Sequence, residues 1–440
     1  MPSLERPLQR FDLFRYGLIA FPMAFAGLPV YVHAPAFYAT EMGISLTIIG
    51  GILLFVRAFD AVQDPWIGSF IDRHQRHRKI LLVIGMALMG FGFWLVFNPF
   101  ITSPVASFAG GIIVCTTGLS VVSINVQALG GLWQTDGPGR TRITSWREAL
   151  GLLGLLCASL APFIFGGGDA RAFYLISLFY LPLLALCGVI FLSWLARVQI
   201  AVVKTCVRTS FTRLYHRWHI TFCAIYLSNA CASAIPAVLV IFFIQDRLDA
   251  ASMTGLFLFI YFIGGAAGMP LWQMLARRVG KLQAWLVSMI LAVLSFVWAF
   301  TLSSGDMTAY AVVCLVSGLA LGGDLALPPS IIADHIDRRG DQVLAARYFS
   351  IMTFFNKAAL ALAAGLMLPA LGMLGYHPGK AGGALYLGYS YALVPSLMKA
   401  ASAFALWRFI SSFNSGGYDD ETQGDAFGGR MPRQRLHQSP

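Results

Sequence analysis

One segment apolar enough to lie in lipid carries charges in its middle. Residues 46–73, LTIIGGILLFVRAFDAVQDPWIGSFIDR, hold Arg57, Asp60 and Asp64 well inside the run. A helix needs about 20 residues to cross a bilayer, and this stretch is long enough. At roughly 100° per residue, spacings of three and four put the three side chains on one stripe, where they share one polar environment. With the rise of a helix, Asp60 lies about 18 Å from Asp72, which opens a basic loop, and so near mid-membrane. An ionised carboxylate at that depth costs about 3 kcal/mol or more unless it meets water, a cation or a partner. A closed ion pair with Arg57 is the structural alternative, but two acids against one base leave a negative charge over. Lys357, in RYFSIMTFFNKAALALAAG, sits about 15 Å in from Arg347, at the same depth. If the two helices are neighbours, Lys357 can occupy the carboxylates when no cation is present and release them when Na⁺ or H⁺ arrives. Unequal affinity for two states is what couples an ion to a conformation. A static network is the alternative.

The elements that must position these groups are membrane helices. Hydrophobic residues make up 58% of the chain, charged residues 12%, and mean hydropathy is +0.71, outside the range of soluble globular chains. Twelve apolar runs of spanning length follow one another from residue 14 to 412, so the expected fold is all-α and polytopic, with twelve transmembrane helices. Arg and Lys collect in alternate loops on the side of the N-terminus, which places both termini in the cytoplasm of a cell (inner) membrane protein. The net charge of +11 is then topology with some attraction to anionic membrane lipids, and no nucleic-acid partner is implied. The N-terminal segment reads as retained rather than as a cleaved signal. The cysteines, at 115, 157, 187, 206, 223, 231 and 314, are scattered and imply neither disulfides nor a metal site.

The longest loop on the basic side divides the spans six and six. We expect an N-terminal six-helix bundle over 1–200, a cytoplasmic connector over 201–217, a C-terminal bundle over 218–412 and a disordered tail over 413–440. Two faint echoes support pseudo-symmetric halves: Pro65 precedes Asp72 and Arg73 as Pro270 precedes Arg277 and Arg278, and Asp136 with Arg147 is matched by Asp337 with Arg347. In the fourth span, Ser120, Ser123, Asn125 and Gln127 offer hydrogen-bonding groups to a cavity or to neighbouring helices. At its exit Asp136, Arg140 and Arg147 are expected to form inner salt bridges that latch one state, in a set that also takes in Asp72, Arg73, Asp334 and Arg347. Asp324, about 15 Å above Asp334, is either a proton or substrate contact or a buried structural carboxylate. His33, beside Tyr31, reads as a packing residue. Walker phosphate loop, HExxH helix, GxSxG elbow and paired cysteines are missing, so neither an enzyme nor a bound cofactor is expected, only a coupling ion.

The stretch FVRAFDAVQDPWIGSFIDR resembles the second-helix signature RxxDAxxDPxxGxxxDR of the glycoside-pentoside-hexuronide:cation symporters, the melibiose carrier family of the major facilitator superfamily. The signature falls on Arg57, Asp60, Ala61, Asp64, Pro65, Gly68, Asp72 and Arg73. NVQALGGLWQTDGPGRTRITSWR and ADHIDRRGDQVLAARYFSIMTFFNK are similar to two further blocks of that family. The resemblance implies a two-bundle alternating-access symporter with Asp60 and Asp64 as cation ligands and Lys357 and Arg57 in coupling, and a monomer is expected. Sugar-binding members carry an aspartate in the first helix, where Phe25 stands here, and another near Ser123. Phe25, Ser123, Asn125, Gln127 and Asp324 are the expected substrate contacts. A sugar or glycoside is the implied substrate. An amphipathic lysophospholipid is the rival, as AGLPVYVHAPAFY resembles the lysolipid symporters of the family. A membrane sensor or scramblase without coupled transport is the alternative from another class.

Overall fold

The computed structural model describes residues 9–99, 103–133, 137–165, 170–198, 214, 216–376 and 384–414. Asp136, most of the 201–217 connector and the tail from 415 lie outside them. Among the described residues all regular elements are helices. They are α1 (10–40), α2 (Leu46–Arg73), α3 (Arg78–Phe97), α4 (Pro104–Leu132), α5 (Gly137–Phe165) and α6 (Ala170–Leu195), then α7 (Arg217–Phe242), α8 (Thr254–Val279), α9 (Lys281–Phe300), α10 (Met307–Arg339), α11 (Ala345–Met373) and α12 (Val394–Asn414). Among the described residues ten helices are long and apolar enough to cross a membrane, and α2 and α5, at 28 and 29 residues, match them in length while carrying internal charges. The chain is an integral multi-pass membrane protein.

Local chemistry starts and bends these helices. Ser45 and Ser103 cap α2 and α4, each accepting the backbone N–H three residues on. Gly280, at φ 93°, turns α8 directly into α9, a backbone that side chains resist. α1 widens into a π-helical turn at Pro29–His33, and α7 runs on into another at Phe243–Arg247.

Lipid gives apolar side chains no reason to hide from it, so close packing decides which helices pair. A Cβ at Gly92 of α3 would lie 2.3 Å from the backbone N of Cys115 in α4, and one at Gly118 of α4 would lie 2.4 Å from Met89 N. These backbones therefore touch. Outward faces carry exposed apolar residues such as Leu54, Trp66, Leu186, Leu294 and Leu397, a lipid-facing shell. One core of Tyr16, Phe25, Phe93, Phe108, Tyr180 and Trp194 fills the first six helices; a second, around Phe243, Tyr310 and Tyr391, lies in the last six. A third core crosses between them, joining Ile71, Ile124, Ala128 and Leu132 to Ile332, Ala345 and Phe349.

Candidate cation and substrate site

α2 and α11 cross face to face and bring the expected groups together. Lys357 Nζ lies 2.9 Å from Asp60 Oδ1, 3.0 and 2.9 Å from the two oxygens of Asp64, and donates to Ser120 Oγ at 2.7 Å. Asp60 Oδ1 also accepts from Ser120 Oγ at 3.1 Å and from Gln63 Nε2 at 2.9 Å, and Gln63 Oε1 accepts from Thr117 Oγ1 at 3.1 Å. Asp64 is completely buried and Asp60 is 5% exposed. In their ionised forms these two acids and one amine leave one negative charge, with oxygen ligands already gathered around it. A monovalent cation or a proton would complete that balance.

Arg57, expected to orient the carboxylates, turns away from them. Its guanidinium lies over the Tyr31 ring, 4.9 Å from the centroid. Both face a cavity of about 190 Å³, lined also by Asp60, Thr116, Leu119, Ser120, Ser123, Thr353, Lys357 and Leu360. Of the expected substrate contacts, Ser123 alone lines this cavity. Gln127 sits just below it, donating to Ser123 Oγ at 3.1 Å and to Thr353 Oγ1 at 3.5 Å. Asn125 is buried and bonds Val121 O one turn back in α4. Phe25 is corrected from substrate contact to core residue: it stacks on Tyr180, centroids 5.9 Å apart, because an apolar ring on α1 packs inward when no polar group draws it to the cavity.

Below the cavity, toward the end where Arg73, Arg78, Arg140, Lys281 and Arg339 gather, the halves are sealed. Asp72 of α2 accepts the backbone N–H groups of Ala346 and Arg347 at 3.0 Å each, so one half caps the first turn of a helix in the other. The Arg78 and Arg347 side chains approach the same carboxylate at 3.9 Å. Arg140 bridges to Asp334 at 3.1 Å and to Asp337 at 2.9 Å, and Lys281 reaches Asp334 at 2.6 Å. Thr144 Oγ1 donates to Ala326 O, and Thr141 pairs with Ser330. Arg73 is exposed. Arg147 is buried and pairs with Glu148 on its own helix, so this ion pair does not join helices. Replacing Asp72 by Ala removes two charge-assisted hydrogen bonds made only when this end is shut. The closed state is expected to lose at least about 2 kcal/mol, roughly thirtyfold in population. Double electron–electron resonance between labels at Arg73 and Arg338, in a cysteine-free background, measures this; an unchanged distance distribution would count against the cap.

Asp324 lies elsewhere. It accepts from Lys399 Nζ at 2.5 Å, Trp285 Nε1 at 3.0 Å, Asn229 Nδ2 at 3.2 Å and Ser233 Oγ at 3.4 Å, which fastens α7, α9, α10 and α12 to one carboxylate inside the C-terminal half. Asp324 does not line the 190 Å³ cavity and, with Ser233 and Lys399, borders a separate small cavity of about 20 Å³, an arrangement that favours its reading as a structural carboxylate over one as a substrate contact. The pair is neutral, so a cation arriving there would be left without a counter-charge. Lys399 was not expected from the sequence. The signal was present: Asp324 and Lys399 lie at equal depth, each about 22 Å from the end of its helix at Arg339 and Asn414.

Twelve helices, two halves joined at one end and a buried ion-pair cluster at mid-depth are the marks of a secondary transporter. The chain matches the MFS/sugar transport protein family over residues 13–410 and belongs to it. Among its relatives are the uncharacterized symporter YjmB of Bacillus subtilis, 22% identical over 435 residues and 93% of each chain, and the inner membrane symporter YicJ of Escherichia coli, 24% identical over 314 residues and 66% of each. A solved structure of a bacterial homologue of the iron transporter ferroportin, in an outward-facing state, superposes with a TM-score of 0.72 at 15% identity, over 92% of this chain and 100% of that one. The fold is that of the major facilitator superfamily.

Proposed function

We propose that this protein is a cation-coupled symporter that carries a small sugar-like solute, with Asp60 and Asp64 as the ion site and Lys357 as the displaced counter-charge. The observation that carries this reading is the single negative charge left on the Asp60, Asp64 and Lys357 cluster at the wall of a cavity. Membership of a sugar-transport family and relatives named as symporters support it. A cavity of about 190 Å³ walled by the hydroxyls of Thr116, Ser120, Ser123 and Thr353 suits a compact hydroxylated solute and favours the sugar over the lysolipid. With the basic end in the cytoplasm under the positive-inside rule, the sealed end faces inward, the termini are cytoplasmic and the cavity belongs to an outward-open state. The protein would act as a monomer in the inner membrane, with no chemistry of its own and no cofactor beyond Na⁺ or H⁺. Purified protein in liposomes tests this. Uphill uptake driven by a Na⁺ or H⁺ gradient is expected, whereas passive equilibration without an ion requirement would point to a scramblase, and ligand binding without flux to a sensor.

A further inference from the structure

We propose that Tyr31 is a positioning residue of the cation site: its ring holds Arg57 off Asp60, and Arg57, once let go, takes the place the cation would fill. This rests on the symport reading above and adds to it a competitor for the ion, carried on the same helix as the two acids.

One oxygen of Asp60 is open. Lys357 Nζ at 2.9 Å, Ser120 Oγ at 3.1 Å and Gln63 Nε2 at 2.9 Å all approach Oδ1. Oδ2 has no hydrogen-bond or ion-pair partner among the described residues, and Asp60 is part of the cavity wall. Asp64 is completely buried outside that wall, with its two oxygens 3.0 and 2.9 Å from Lys357 Nζ. The cluster therefore shows its uncompensated negative charge to the cavity at Asp60.

Arg57 is within reach of it. Residues three apart on a helix are neighbours, and the residual charge draws the guanidinium inward. An Arg57–Asp60 pair would leave two acids matched by two bases, with nothing for a cation to balance. The guanidinium nonetheless rests elsewhere, over the Tyr31 ring at 4.9 Å from the centroid, with both groups on the cavity wall. Water in an outward-open cavity weakens the pull of the carboxylate, so contact with the ring face decides where the side chain lies.

The backbone of α1 sets Tyr31 in place. It occupies the middle of the π-helical turn Pro29–His33, where the widened coil breaks the register of the helix. His33 in the same turn packs on Phe173, centroids 5.5 Å apart, and the Tyr38 hydroxyl donates to Val96 O at 2.9 Å, which anchors the segment to the first half and leaves Tyr31 to the cavity. The Tyr31 hydroxyl makes no hydrogen bond among the described residues, so the ring face alone does the holding.

Ion binding by the purified full chain in detergent tests this, read as Tm against Na⁺ concentration with choline as the control salt, and against pH with Asp64→Asn as the baseline for a proton site. Tyr31→Ala should weaken apparent Na⁺ affinity at least about tenfold, or lower the midpoint of the Asp64-dependent pH step by about one unit. Tyr31→Leu, which fills the volume without an aromatic face, should behave alike and serves if the alanine variant does not fold. Tyr31→Phe should recover the affinity. Combining Tyr31→Ala with Arg57→Gln should also recover it, because the competitor is gone; a ring that only supported the fold would give no such rescue. Unaltered affinity in both Tyr31→Ala and Tyr31→Leu, or a loss that persists in the double variant, overturns the inference and leaves the ion site standing. Absence of both the Na⁺ effect and the Asp64-dependent pH step in the unaltered protein overturns the ion site as well.

Discussion

Asp64→Asn is expected to abolish cation-driven accumulation. The amide keeps the shape of the side chain but leaves Lys357 facing Asp60 alone, a neutral pair already supported by Ser120. The residual negative charge that draws an ion is gone. At about 4 Å and an effective dielectric near 20, one charge is worth about 4 kcal/mol, so cation affinity should fall by about three decades. Ion-dependent thermal stabilisation reads that loss directly, because a ligand stabilises a fold by an amount that grows with the logarithm of its concentration over its dissociation constant. Solute exchange between equal ion concentrations on both sides can survive, since it needs no gradient. A variant that still concentrates solute against its gradient, as the unaltered protein does, would remove Asp64 from the ion site.

Gly68→Val should trap the protein open at its basic end. A Cβ at Gly68 would sit 2.3 Å from Ser350 Oγ, 2.6 Å from Ser350 Cβ and 2.8 Å from Ala346 O. Ser350 Oγ could yield by a rotamer change, but Ser350 Cβ is fixed to its helix and Ala346 O is backbone in the turn that Asp72 caps. Two added methyl groups make the approach of α2 to α11 untenable, with overpacking of this kind costing about 1–3 kcal/mol even where neighbours relax. Net uptake is expected to fall at least tenfold, and label distances across the basic end to lengthen. The protein should stay folded, because the crowding exists only in the shut state. Uptake at the original rate would show that the two helices need not close this tightly.

The ion cluster was legible in the sequence for a specific reason. Helical spacing places Asp60 and Asp64 on one stripe, and counting residues from the basic end puts Lys357 level with them, so depth alone pairs groups that lie nearly three hundred residues apart. The same count applied to Lys399 would have found Asp324. Asp324 taken alone reads equally as a proton or substrate contact or as a structural carboxylate, and only its pairing with Lys399 separates the two. Arg57 could not be placed from spacing, since a neighbour three residues from Asp60 can turn to it or away, and Tyr31 on a different helix decides which. Phe25 shows the limit of transferring a position from a family: a site residue replaced by an aromatic ring keeps its place in the chain and loses its reason to face the solute. The seal at Asp72 was visible only as charge near a membrane edge, because its partners are backbone amides, which no sequence distinguishes from any others.

The carboxylate of Asp324 has one more consequence. Four helices that differ widely in chain position are tied to a single point, and three of the ties would each have to find another partner in an apolar interior if that point moved. Internal slippage of the C-terminal half is thereby penalised, which stiffens these four helices as one unit.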